Sequence, residues 1–376
     1  MSQIIQSLKN YRFRDYNFRL IIMLLAISII GILSVGSAEK SLQSKQIYGL
    51  IIGVVLMLVL SFIDYTVLLK LWWLIYAVNI VLLVLVLTVG EVHGGAKRWL
   101  NIGIAVQPSE TAKIMLILFY AQFIMKFKDK MKEIWVILLS VALMIPPLLL
   151  IAKQPDLSTT IVVFLVLITV LFIGEIPYKY VLAVLGVAVP AAVLLFIYLL
   201  QPNQKLLDSY QQKRILAWLH PEQYELEEAY QQLNSVMAIG SGQLTGKGLN
   251  NNVVNSVKNG NFISKPQTDF IFTIIGEELG FVGSAIVIAL LLGIVVECFV
   301  IAFKAKDISG RVVAGGMGAL IGFQGMLNIA VATGLLPNTG LPLPFVSAGL
   351  TSMVSLYIGM GFVLNVGLQC EQKYTN

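Results

Sequence analysis

Ten long apolar runs constrain this chain more than any other feature: residues 20–36, 47–63, 71–89, 111–125, 134–152, 157–174, 181–200, 270–303, 312–336 and 345–368. Each is about 15 residues or longer, and a helix crossing a bilayer core needs about 20. The fourth reaches that length only by taking in its polar first turn from Glu110. Hydrophobic residues fill 57% of the 376 positions and charged residues 12%, a balance that excludes an ordinary soluble domain. In lipid every backbone N–H and C=O must be satisfied within the protein, which makes helices the natural form for such runs. The expectation is an all-α polytopic membrane protein of about ten transmembrane helices, built as one integral membrane domain over residues 1–376.

Orientation follows from Lys and Arg in the connectors. With a cytoplasmic N-terminus, the inside segments carry fourteen such residues and the short outside loops five, a clear positive-inside bias. Both termini are then cytoplasmic, and the long segment 201–268, between helices 7 and 8, is a large extracellular loop. The formal charge of +6 suits contact with anionic membrane lipids, and nothing in it calls for nucleic acid. Cys298, Cys370, His93 and His220 are too scattered for a disulfide framework or a metal-ligand spacing.

The polar residues gather at one mouth. Residues 265–280 pass from Lys-Pro-Gln-Thr-Asp into a run of about 51 Å, longer than a bilayer core, so either its first part lies at or above the membrane edge or the helix breaks near Gly276 or Gly280. Asp269, Glu277 and Glu278 stand at its entrance, where a carboxylate is expensive unless it lines a polar cavity. Asp269 or Thr268 can equally serve as a helix N-cap. Glu110 and Lys113 lie three apart on one face, either as a structural ion pair or with the lysine presented to an anionic head group. Asp156 follows Gln-Pro and is a second carboxylate or a cap. The glycine-rich stretch 240–248, with Lys247, lacks the GxxxxGK[ST] spacing of a nucleotide loop and reads as a plain turn, with a loop contacting the phosphate of a lipid head group as the alternative. Three prolines between 337 and 344 make a rigid re-entry before Ser347. Gly315, Gly316, Gly318 and Gly322 mark a closely packed helix face. Arg98, Lys113, Arg214, Lys247, Lys265, Glu110, Asp156, Asp269 and Glu277 thus share one side, which favours chemistry on an amphiphile with its head in water and its tail in lipid.

Several motifs in order then resemble a known family. They are Lys97-Arg-Trp-Leu, Gln107-Pro-Ser-Glu-Thr-Ala-Lys113, Gln154-Pro-Asp-Leu, the segment with Arg214, Gly246-Lys-Gly, Thr268-Asp-Phe-Ile-Phe, Gly276-Glu-Glu-Leu-Gly and Leu341-Pro-Leu-Pro-Phe-Val-Ser. The chain resembles the SEDS proteins of shape, elongation, division and sporulation, which include RodA and FtsW, over nearly its whole length. The resemblance implies ten helices, a large loop before the eighth, and polymerisation of lipid II into peptidoglycan beside a class B penicillin-binding protein in the bacterial cytoplasmic membrane. It makes Asp269 the essential carboxylate. Gln267 stands where the family has a histidine, and 348–352 reads Ala-Gly-Leu-Thr-Ser, so a His–Asp dyad is not expected. Asp269 is then the general base. Arg98, Lys113 and Arg214, with Glu110, Asp156, Lys247, Glu277 and Ser347, are the substrate-binding candidates, and a divalent cation (Mg or Mn) is a candidate aid to the diphosphate leaving group. Two alternatives stay open: a flippase for the lipid-linked precursor, and a non-catalytic scaffold for the penicillin-binding protein.

Overall fold

The structure is a computed structural model that describes residues 16–93, 96–101, 103, 105–201, 209–224, 229–250, 256, 260 and 262–370. Lys9, Arg12, Arg14 and Lys373 of the charge count lie outside the described residues, as do parts of 94–110 and 201–268. The chain begins with α1 (Phe18–Ala38), α2 (Lys40–Ser61), the short α3 (Tyr65–Leu69) and α4 (Trp72–Val89). A small antiparallel sheet follows, β1 (Glu91–His93), β2 (Ala96–Asn101) and β3 (Ala105–Val106). Then come α5 (Pro108–Phe127), α6 (Ile134–Ala152), α7 (Leu157–Ile173) and α8 (Tyr178–Leu199). Two short helices, α9 (Ser209–Leu219) and α10 (Tyr230–Ser241), precede α11 (Ile271–Lys304), α12 (Ile308–Ala332) and α13 (Leu350–Leu368).

The chain is an all-α polytopic membrane protein. Each of the ten apolar runs has a helix along most of its length, although 333–336 lies beyond α12 and 345–349 precedes α13, and α1, α2, α4, α6, α11, α12 and α13 are, among the described residues, the seven long and apolar enough to cross a membrane. The sheet is the one non-helical element among the described residues between α4 and α5. β1 and β3 are too short for a period-2 pattern to be legible, and only their pairing with β2 reveals them.

α12 sits at the centre, packed on α5, α7, α11 and α13. Its glycine face makes this close. A Cβ on Gly316 would lie 2.9 Å from Ile117 of α5 and 3.0 Å from Val170 of α7, and one on Gly318 would lie 3.0 Å from Cys298 of α11. Small residues that let backbones approach are the means by which membrane helices gain packing energy.

α11 is broken at Gly280, one of the two ways in which its length can be reconciled with a bilayer. Gly280 has φ 65° and ψ −161°, outside the helical region. The broken turn is repaired from outside: Gln243 and Leu244 carbonyls accept the N–H groups of Phe281 (2.9 Å) and Val282 (3.1 Å). In return Lys247 and Gly248 donate to the carbonyls of Glu277 (3.0 Å) and Glu278 (2.9 Å). The approach is backbone on backbone, since a Cβ on Gly246 would stand 2.2 Å from the Glu278 carbonyl oxygen. Gly242 is held the same way, a Cβ there standing 1.9 Å from the Gly276 carbonyl oxygen, whereas a Cβ on Gly240 or Gly248 would meet nothing within 4 Å.

Candidate active site

The helix after Asp269 starts at Ile271, with Phe270 in the cap position and no side-chain cap bond. The capping reading of Thr268 and Asp269 therefore fails. The Thr268 hydroxyl instead donates back to the Lys265 carbonyl (2.9 Å), closing a polar turn. Asp269 is half-buried, and its carboxylate has no hydrogen bond or ion pair among the described residues. Its main chain, by contrast, is held: the Asp269 carbonyl accepts from Asn328 Nδ2 at 2.7 Å. Gly340 faces the carboxylate, and a Cβ there would lie 3.3 Å from Oδ2.

Charges surround this carboxylate without touching it. Burial pushes the Asp269 carboxyl above its ordinary value, Arg214 and Arg98 oppose the rise, Asp156 adds to it and Lys265 opposes it, leaving a net upward shift. Each of these groups except Lys265 has a second task. Arg98, on β2, donates through Nε to the Gln154 carbonyl (3.2 Å) and through a terminal nitrogen to the Pro155 carbonyl. Arg214, on α9, donates to the Asn338 carbonyl (3.3 Å). Asp156 caps α7 by accepting from the Thr159 N–H (3.2 Å). The sheet thus grips the turn before α7, and α9 grips the proline-rich loop, which brings four elements distant in sequence to Asp269.

Glu110 and Lys113 form the ion pair that their spacing allows, Nζ to Oε1 at 2.7 Å with side chains 3% and 1% exposed. Lys113 also donates to Gln324 Oε1 (2.7 Å), and Gln324 Nε2 donates to the Pro342 carbonyl (2.9 Å). The second Glu110 oxygen is buried with no hydrogen-bond partner among the described residues. Lys247 and Glu277 pair with each other at 2.8 Å on the loop that repairs α11. Glu278 accepts from the Ser37 hydroxyl of α1 (2.6 Å). Ser347 is engaged on both sides, donating to the Thr268 carbonyl (2.6 Å) and accepting from the Leu343 N–H (2.7 Å).

Among the described residues, no three His, Cys, Asp or Glu side chains converge as metal ligands. The described residues around Asp269 do not form a protein-held site for a divalent ion, and the positive charge they bring to this mouth comes from Arg98, Arg214 and Lys265. Gln324 and Asn328, four apart on α12, are the site residues that sequence reasoning passed over. Their signal was present, because carboxamides in an apolar run are costly unless they bond across helices.

Comparison with known proteins agrees with this architecture. Residues 16–372 match the FtsW, RodA and SpoVE family, described as cell cycle proteins. The chain is 34% identical over 351 residues to the peptidoglycan glycosyltransferase MrdB of Escherichia coli K12, covering 92% of this chain and 91% of that one. It is 32% identical over 382 residues to the probable peptidoglycan glycosyltransferase FtsW of Geobacter sulfurreducens, covering 95% and 96%. The rod shape determining protein RodA of Thermus thermophilus superposes with a TM-score of 0.68 at 26% identity, over 96% of this chain and 98% of that one. A chain from a structure concerned with coordinated polymerization and crosslinking by a peptidoglycan synthase complex superposes at 0.78 and 29%, over 94% and 97%. The chain belongs to the SEDS family of FtsW, RodA and SpoVE.

Proposed function

We propose that this protein is a peptidoglycan glycosyltransferase that polymerises lipid II on the outer face of the bacterial cytoplasmic membrane, with both termini cytoplasmic. The observation that carries the reading is the carboxylate of Asp269: it caps nothing and pairs with nothing described, it is raised by burial, and it lies in the field of two arginines. A group so placed suits a general base. Asp269 takes the proton of the acceptor sugar's 4-hydroxyl as that oxygen bonds to the donor's anomeric carbon. The bond from that carbon to the polyprenyl diphosphate breaks, its electron pair leaves with the diphosphate, and the configuration inverts. Arg98 and Arg214 stabilise the departing charge. Both keep their main-chain bonds while doing so, since a guanidinium carries five N–H donors.

Lys113 and Glu110 act in this scheme by bracing α5 against the proline-rich loop, and Lys247 and Glu277 by holding the loop at the α11 break. The names of the relatives support the reaction class, and the synthase-complex relative supports a class B penicillin-binding protein as partner. The test uses purified protein with lipid II as sole substrate. Asp269→Asn keeps size and hydrogen bonding, and polymerisation should fall about 10²–10⁴-fold, as expected for loss of a general base. Near-wild-type polymer from folded Asp269→Asn protein would overturn the assignment. No polymer from the unmodified protein would favour a flippase or a scaffold.

A further inference from the structure

We infer that Asn328 on α12 is a positioning residue that sets Asp269 against the loop facing it. The inference rests on the reading of Asp269 as the base. Three successive carbonyls before α11 are held from outside their own segment. Gln267 accepts from the Ala348 N–H (2.9 Å), Thr268 from the Ser347 hydroxyl (2.6 Å) and Asp269 from Asn328 Nδ2 (2.7 Å). The first helical N–H groups do not serve them, as Thr273 donates to the Phe270 carbonyl. Residues 267–269 are therefore a strap whose position other elements decide.

Asn328 differs from the other two donors because it reaches both sides of the site. The same Nδ2 donates to the Leu341 carbonyl at 2.6 Å, and Leu341 follows Gly340, the residue opposite the Asp269 carboxylate. One side chain, 1% exposed, thus joins the main chain that bears the base to the loop it faces. The orientation of the amide is decided by chemistry, because both contacts are carbonyls and only the NH₂ end can donate. Asn328 Oδ1 is buried with no partner among the described residues, so the side chain forgoes one pairing and keeps both bonds to the site. Buried polar atoms are usually paired, which makes the exception informative. Gln324, one turn away, grips the next carbonyl, Pro342, and holds Lys113. The loop and the base are registered to α12, the central helix of the bundle.

The experiment compares Asn328→Leu with Asn365→Leu in the full-length protein on lipid II. Asn365 is an equally buried asparagine at the far end of α13, bonded to the Ser61 carbonyl (2.7 Å) and the Tyr65 N–H (2.9 Å). It controls for the simple loss of a buried amide. Misplacing a reacting group by about 1 Å costs about 10²-fold, so Asn328→Leu should lower kcat by roughly that factor with KM for lipid II unchanged. Asn365→Leu should lower thermal stability comparably and leave kcat intact. Groups acting as a unit are non-additive, so Asp269→Asn with Asn328→Leu should be no slower than Asp269→Asn alone. A kcat for Asn328→Leu within about twofold of wild type, with Asp269→Asn inactive, overturns the positioning role and leaves the base assignment standing. Equal loss of kcat in Asn365→Leu overturns it as well. Wild-type activity in Asp269→Asn removes the base and the positioning role together. If Asn328→Leu does not fold, the smaller Asn328→Ala decides: it also removes both bonds and should lower kcat by a similar factor, and a kcat within about twofold of wild type overturns the positioning role.

Discussion

Replacing Lys113 alone should damage the protein far more than replacing Lys113 and Glu110 together. The two charges meet at 2.7 Å, both almost wholly buried. At an effective dielectric of about 20, their attraction is roughly 6 kcal/mol. Each ion has given up hydration worth several kcal/mol, so the intact pair contributes little net stability. Lys113→Met keeps most of the side chain's bulk and removes its charge. Glu110 then has neither oxygen paired, and Gln324 Oε1 loses its donor. An uncompensated buried charge costs about 3–5 kcal/mol, and an orphaned amide oxygen adds about 1–3 kcal/mol. Adding Glu110→Leu removes the larger penalty, so the double variant should recover most of the loss. Cys298, 0% exposed, supplies the readout, because its reaction with a thiol reagent in detergent micelles requires unfolding. Cys370→Ser provides the background. A loss below about 1 kcal/mol for Lys113→Met, or a double variant as damaged as the single, would refute the argument.

Two further predictions concern the base and the topology. A general base works ionised, so polymerisation should rise with pH through the folded-state pKa of Asp269, above the ordinary 3.8. Arg214→Ala removes the largest opposing charge and should move that limb to higher pH, and an unmoved limb would detach Arg214 from the site. The stability linkage has the opposite sense: the folded state binds this proton more tightly, so Asp269's contribution to stability is present below 3.8 and is lost as pH rises through the raised value. Thr245, exposed on the loop against α11, tests orientation. In the Cys370→Ser background, Thr245→Cys should react with an impermeant reagent on intact cells, and labelling only after lysis would invert the topology.

The features legible in the sequence were those whose physics is local. A run of apolar residues declares a helix by its length, and each of the ten runs has a helix along most of it. Glu110 and Lys113 meet because residues three apart on a helix are neighbours, whatever the rest of the chain does. That the run on α11 exceeds a bilayer core was legible from its length, but the sequence left a break and a first part above the membrane edge equally open, and the break at Gly280 is seen only with the 240–248 loop docked on it. Tertiary structure decided what depends on partners far along the chain. Whether Asp269 caps a helix or keeps its carboxylate uncommitted turned on where α11 begins and on donors at Asn328, Ser347 and Ala348, 59 to 79 residues away. Ser347 is a substrate-binding candidate in the sequence, and in the structure both its bonds serve the backbone. Lys247 and Glu277 read as separate charges until the 240–248 loop docks on the break and pairs them. Such hydrogen bonds depend on distance and angle in three dimensions. A sequence states which groups can donate and accept, and only packing of the helices selects which of them meet.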